Sequence, residues 1–234
     1  NYRVNLKAGQ MLVAELNAYT AGVSMDALMM LRDMRGVKLA FNHDAHSLDP
    51  RLTWRCDRDG EYVLQIAAFK FPANSTSSFS GGADHVYRLT ITNGSFVRHA
   101  WPHGITSGTT TNVGLGGWNL METSISLPQS KGKEVVVPVE SVNGPLHVPV
   151  SPWPQLVEQE PNDTNDTAHT FGLPAAVSGL INKPGDVDRF AFMAEKGERY
   201  RLDIDSFALG FLLDARLSVE DSKGKELASN DDAN

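Results

Sequence analysis

The stretch DARLSVEDSKGKELASNDDA, residues 214–233, decides how the chain is read, because residues 26–45, DALMMLRDMRGVKLAFNHDA, are an earlier copy of it. Gly9 pairs with Gly197, Gly22 with Gly210, Asp26 with Asp214, Asp33 with Asp221, Gly36 with Gly224, Asn42 with Asn230 and Asp44 with Asp232, all at one spacing and without a gap. A fixed spacing held by this many turn-forming residues marks a duplicated unit. The duplication also settles the secondary structure. The earlier copy taken alone comes close to helical periodicity, but DARLSVEDS alternates with period two, so both copies are expected to be strand.

Working outward, the same alternation recurs. Tyr2, Val4 and Leu6 share one side, a Lys7–Gln10 turn follows, and Leu12, Ala14 and Leu16 repeat the pattern. Met29–Leu31, Tyr62–Leu64–Ile66 and Tyr87–Leu89–Ile91 continue it, as expected of half-buried antiparallel strands closed by glycine-containing turns. Asp33-Met34-Arg35-Gly36 and Asp57-Arg58-Asp59-Gly60 supply such turns: Asp bonds the backbone two residues on, and Gly accepts positive φ. Between Ala67 and Asp84 runs a long polar stretch holding Phe69, Phe71 and Phe79, either a sandwich edge with a Ser/Thr-rich tip or a ligand-contacting loop. Past Pro149, Pro152 and Pro154 a stiff linker excludes helix and places a boundary near Pro154.

Composition narrows the function. The chain has 234 residues, 41% hydrophobic and 21% charged, which suits folded modules. A net charge of −7, with Lys and Arg scattered, argues against nucleic acid and anionic lipid and favours a cation as partner. No run of apolar residues is long enough for membrane insertion. The single cysteine, Cys56, forms no internal disulfide and reads as a small buried residue.

Two resemblances follow from these motifs. Residues 101–120, with Gly108-Thr109, Val113, Leu115 and Gly117-Trp118-Asn119-Leu120, resemble the opening of an immunoglobulin-like domain of the IPT/TIG kind. In residues 158–232 the series E-x-E-P-N-D, G-D-x-D-x-F, K-G-x-x-Y and L-D-A-x-L-x-V-x-D-x-x-G-x-x-L-A-x-N-D-D is similar, in order, to the bacterial pre-peptidase C-terminal (PPC) domain, and residues 2–92 resemble it in part. The first copy lacks the counterpart of Glu158 to Asp186, and the second lacks the strands matching Tyr62 to Thr92. The resemblance implies an all-β chain of jelly-roll-like β-sandwiches with an immunoglobulin-like β module between them: 1–100, 101–154 and 155–234. It further implies a secreted, periplasmic or cell-surface bacterial protein, as in large exported planctomycete-type proteins, with a non-catalytic accessory role. That role is adhesion to, or targeting of, an extracellular protein or polysaccharide, or alternatively a structural spacer or surface-layer element beside a distant protease or hydrolase.

The acidic run Glu158-Gln159-Glu160-Pro161-Asn162-Asp163 has the composition of a Ca2+ site, since calcium takes six to eight hard oxygen ligands. In an extended segment Glu158 and Glu160 point to one side, and Asp186 with Asp188 at a strand start are able to close the shell. The alternative is a solvated acidic linker with an Asx turn and no ion. Collagen-binding domains of clostridial collagenases, similar to the PPC family, bind calcium through a like segment and a downstream Asp pair. That implies a calcium role for Glu158, Glu160, Asn162, Asp163, Asp186 and Asp188. Asn42-His43-Asp44 with Asp26, and Asn230-Asp231-Asp232 with Asp214, are expected to be turns tying their own backbone, with a further ion site as the alternative. Catalysis is not expected: the sequence has no HExxH, no G-x-S-x-G elbow and no phosphate loop, and the pairs His43/His46 and His99/His103 lie on strand and loop segments. The string GLGG at residues 114–117 reads as a strand interruption.

Overall fold

The computed structural model describes residues 1–72, 78–206 and 209–231. Asp232, expected in the second acidic cluster, and part of the phenylalanine-bearing loop lie outside these residues. Among the described residues the chain is all-β and divides into two compact units. One consists of Asn1–Gly94, Asp203–Val219 and Glu226–Asn234, the other of Ser95–Leu202 and Glu220–Lys225.

In the first unit the strands are β1 (Tyr2–Leu6), β2 (Met11–Asn17), β3 (Asp26–Asp33), β4 (Lys38–Asn42), β5 (Arg51–Arg55), β6 (Gly60–Phe69) and β7 (Arg88–Thr92). They form a four-stranded sheet in the order β1-β6-β3-β4 and a three-stranded sheet in the order β5-β2-β7. Every pairing within these sheets is antiparallel. Apart from the β3–β4 hairpin, successive strands cross from one sheet to the other, which winds a β-sandwich. The alternation read from the sequence faces the core: Leu12, Ala14 and Leu16 of β2 pack with Met29 and Leu31 of β3, Leu52 of β5, and Tyr62 and Leu64 of β6. Each fully buried aliphatic side chain of this set contributes about 2 kcal/mol through loss of water contact. Cys56, just after β5, is buried in the same core.

The repeated turn is the same object twice. Asp33 Oδ1 accepts from the backbone N–H of Arg35 and Val37, both at 2.9 Å, and Gly36 has φ 87°. In the second copy Asp221 Oδ1 accepts from Lys223 N–H at 2.8 Å and Lys225 N–H at 3.0 Å, and Gly224 has φ 78°.

The strand pattern of the first copy is not carried through the second. Residues 200–204, the counterpart of β2, form no strand. In the first copy β2 is hydrogen-bonded on both edges, by β5 and β7. Among the described residues no strand pairs with residues 200–204, so no ladder forms there. Leu12 and Leu16 are 1% and 0% exposed, whereas their counterparts Tyr200 and Ile204 are 37% and 50% exposed.

In the second unit β8 (Phe96–Trp101), β9 (Ile105–Thr106), β10 (Thr111–Trp118), β11 (Ser124–Leu127), β12 (Glu134–Val137) and β13 (Leu146–Ser151) build two three-stranded sheets, β11-β10-β8 and β12-β13-β9. Ala100, Ile105, Val113, Leu127, Val137 and Val148 fill the space between them. The strand Phe96–Trp101 pairs with β10, so this module starts before residue 101. The GLGG string lies within an unbroken β10, where it shifts the register against β8 between Gly116 and Gly117, and a Cβ on Gly117 would clash with Phe96 O. Beyond the proline linker, β14 (Gln155–Val157), β15 (His169–Thr170), β16 (Ala176–Ser178) and β17 (Phe190–Ala191) form two short parallel pairs, β14 with β16 and β15 with β17. The hairpin of β18 (Leu217–Glu220) and β19 (Glu226–Asn230) carries the second repeated turn.

Candidate metal centre

The parallel pairs lay the acidic run beside residues 178–189. Glu158 N–H donates to Ser178 O at 3.0 Å, and Arg189 N–H donates to Asn162 O at 3.1 Å. Glu158 therefore emerges beside Gly179 and Leu180, and its Oε1 accepts from Leu180 N–H at 2.6 Å. Glu160 Oε1 accepts from Asn182 Nδ2 at 3.0 Å, and its Oε2 accepts from Asn162 N–H at 3.0 Å. Asp186 follows a turn in which Gly185 has φ 87°, and its Oδ2 accepts from Asn182 N–H at 2.7 Å.

Glu160, Asp186 and Asp188 each bring one carboxylate oxygen within 4.8 Å of the others. Oxygens bound to one calcium ion at about 2.3 to 2.6 Å lie no more than about 5 Å apart, so the three fit a shared shell. Glu158 adjoins them at Asp188: a Cβ on Gly179 would be 2.7 Å from Glu158 Oε2 and 3.2 Å from Asp188 Oδ2. Asp163 is turned differently. Its carboxylate stands 3.8 Å from Lys183 Nζ, which is also 3.8 Å from Asp186 Oδ1.

Burial without partners marks this cluster. The side chain of Asn162 is fully buried, and neither its amide oxygen nor its amide nitrogen has a hydrogen-bond partner. Glu158 Oε2, Asp186 Oδ1 and Asp188 Oδ1 are likewise buried and unpartnered. Each such atom costs about 1 to 3 kcal/mol of lost hydration. Burial pushes the Glu158 carboxyl up to about 7; the Leu180 N–H opposes the rise and the Asp188 charge adds to it. Asp188 is also raised, first by burial and further by the charges of Asp186, Glu160 and Asp163, although the Glu158 carboxyl beside it lowers it. Orphaned oxygens, a hard donor set without His or Cys, and crowded carboxylates fit a divalent cation of the calcium class.

Some contributors were not apparent from the sequence. Gly179 makes room for two carboxylates, Leu180 acts through its backbone, and Asn182 bridges Glu160 and Asp186. Arg189, next to Asp188, ties the two segments through Nε to Asp163 O at 3.2 Å and through its guanidinium to Asn165 and Glu220. Its basic charge among acids was the one available signal.

In the Asn42-His43-Asp44 candidate, Asp26 Oδ1 and Asp44 Oδ1 are buried without a hydrogen-bond partner, and part of the segment is local structure. Asn42 Oδ1 accepts from Arg51 N–H at 3.0 Å and its Nδ2 donates to Asp44 O, so the first Asn-x-Asp segment does tie its own backbone. His43 and Asp44 pair at 2.7 Å, and burial, then Asp44, raises Asp26. The ring centroids of His99 and His103 lie 5.3 Å apart despite their strand-and-turn setting. Burial holds both below the ordinary imidazole range, His99 at about 4.

A stretch of 89 residues, 37% of the chain, is 38% identical to a Deinococcus radiodurans protein described as a "probable subtilase-type serine protease". The match covers 11% of that relative's length. No family model and no solved structure matches the chain. Among the described residues no helix is long and apolar enough to cross a membrane.

Proposed function

We propose that these residues are an accessory region of an exported bacterial protein of the protease type, in which Ca2+ fixes the segment after the proline linker and the modules mediate adhesion or substrate targeting. The observation that carries the reading is the set of buried oxygens without partners at Glu158, Asn162, Asp186 and Asp188. The shared 89-residue stretch with a subtilase-type relative and the PPC-like motif series support the setting, secreted or cell-surface. The module at residues 96–151 suits the immunoglobulin-like spacer that its opening motif resembles. Glu158, Glu160, Asn162, Asp186 and Asp188 would hold the ion, with Asp163 turning from Lys183 to complete the shell. Calcium would supply charge neutralisation, holding the acidic run against residues 179–188.

Binding of the chain to fibrous protein and to insoluble polysaccharide, with millimolar calcium and with chelator, tests the adhesive role. Retention that the chelator abolishes is the expected result. Failure on every surface under both conditions would leave the spacer role in its place.

A further inference from the structure

Outside the acidic centre, the segment after β6 brings together three side chains with a different chemistry. Phe79 forms a β-bridge with Phe69, their rings stack at 5.8 Å with 16° between planes, and Ser80 N–H donates to Ala68 O at 2.9 Å. The serine is thereby fixed to the end of a sandwich strand. Its Oγ lies 3.3 Å from His85 Nε2, and His85 Nδ1 lies 3.2 Å from Asp84 Oδ1. In the tautomer whose Nδ1–H donates to Asp84, Nε2 is the acceptor facing the hydroxyl. His85 is one-fifth exposed, and its hydrogen bond holds the Asp84 carboxyl below the usual range. Gly82 permits this packing: a Cβ there would stand 2.7 Å from Asp84 Oδ1 and 3.3 Å from His85 Nδ1. Beside Gly81 the space is open, and Phe79, 73% exposed, offers an apolar face next to the serine.

We propose that Ser80, His85 and Asp84 form a nucleophile–base–carboxylate relay that cleaves small uncharged aryl or acyl esters, a role that goes beyond the accessory reading above. The order of contacts is that of a serine hydrolase relay, recognised by geometry and roles rather than by sequence motif. Ser80 Oγ attacks the ester carbonyl as its proton passes to His85 Nε2. The bond to the leaving oxygen then breaks, and that oxygen takes the proton from Nε2. Water repeats the sequence on the acyl-serine, giving the carboxylic acid and restoring Ser80. The backbone N–H groups of Gly81 and Gly82 follow the nucleophile and are the donors closest in sequence to a developing oxyanion. Phe79 and Phe69 give the acyl or aryl group an apolar contact.

The test uses the full chain with 4-nitrophenyl acetate, and peptide mapping by mass spectrometry to locate the acyl adduct. An adduct on Ser80 is expected, forming about 100-fold more slowly in His85→Ala, with a smaller loss in Asp84→Asn and in Gly82→Ala. Ser80→Ala should keep its circular dichroism and melting temperature while losing the adduct. No acylation of Ser80, or acylation at an unchanged rate in His85→Ala, would overturn the proposal. The assay is run in chelator as well as in calcium, so it succeeds or fails independently of the metal centre.

Discussion

Glu158 and Asp188 set carboxylate oxygens on the same side of Gly179, so that one Cβ added there would lie 2.7 Å from the first and 3.2 Å from the second. Two acids held this close, with burial as the main cause, are raised from their ordinary range. A pair of this kind binds a proton or a cation in preference to remaining doubly charged.

The metal-free protein should therefore lose stability as pH rises from about 4.5 to about 7. Glu158 is raised in the folded state, from 4.5 to about 7, so the folded form holds its proton across that window while the unfolded form has released it. Calcium reverses the trend, because binding displaces the proton and tightens as pH rises. Melting curves in chelator and in calcium from pH 4.5 to 8 should diverge with rising pH; parallel curves would contradict the assignment.

Gly179→Ala should weaken calcium binding by at least about tenfold, equivalent to about 1.4 kcal/mol. The new methyl displaces Glu158 Oε2 while leaving the backbone hydrogen bonds of β14 and β16 in place. Calorimetric titration of the variant against the parent measures the difference. An unchanged affinity would remove Glu158 from the shell.

Asp49 is a purely structural acid and should behave differently. Its side chain accepts from Ala18 and Tyr19 N–H on Oδ1 and from Thr20 N–H on Oδ2, at 2.8 to 2.9 Å, and also bonds the Thr20 hydroxyl. Asp49→Ala strands the buried Ala18 N–H, removes the bonds to Tyr19 and Thr20, and should cost about 3 kcal/mol in denaturant unfolding, with or without calcium.

The repeat supplies an internal control on packing. Leu16→Ala should cost about 3 kcal/mol, as expected for a fully buried leucine. At the matching position Ile204, half exposed, the substitution to Ala should cost less than about 1 kcal/mol. Equal losses would mean that residues 200–204 are covered as β2 is.

Much of this was legible from the chain. Leu12, Ala14 and Leu16 announce a strand by alternation, and the Asp33 and Asp221 turns by the Asp-x-x-Gly spacing, because both signals are local. Residues 200–204 carry the same local signal and still form no strand, since ladder formation depends on neighbours that a local pattern does not include. The acidic residues were visible by type, but their convergence depends on parallel pairs as short as His169–Thr170 with Phe190–Ala191, too brief to show periodicity. Gly179 and the Leu180 N–H were invisible because they act through a missing side chain and a backbone group. Ser80, His85 and Asp84 were passed over since the SGGADH segment fits no nucleophile motif, and only the fold turns the ring toward the serine.

The most direct measurement is thermal unfolding of the chain and of Asp188→Asn against calcium concentration at pH 7.5. Mass action predicts a melting temperature that rises with calcium, by a stabilisation of about 2.7 kcal/mol at one hundred times the dissociation constant, and a much reduced rise in the variant. A melting temperature indifferent to millimolar calcium, or one that rises equally in Asp188→Asn, would contradict a metal centre at Glu158 to Asp188.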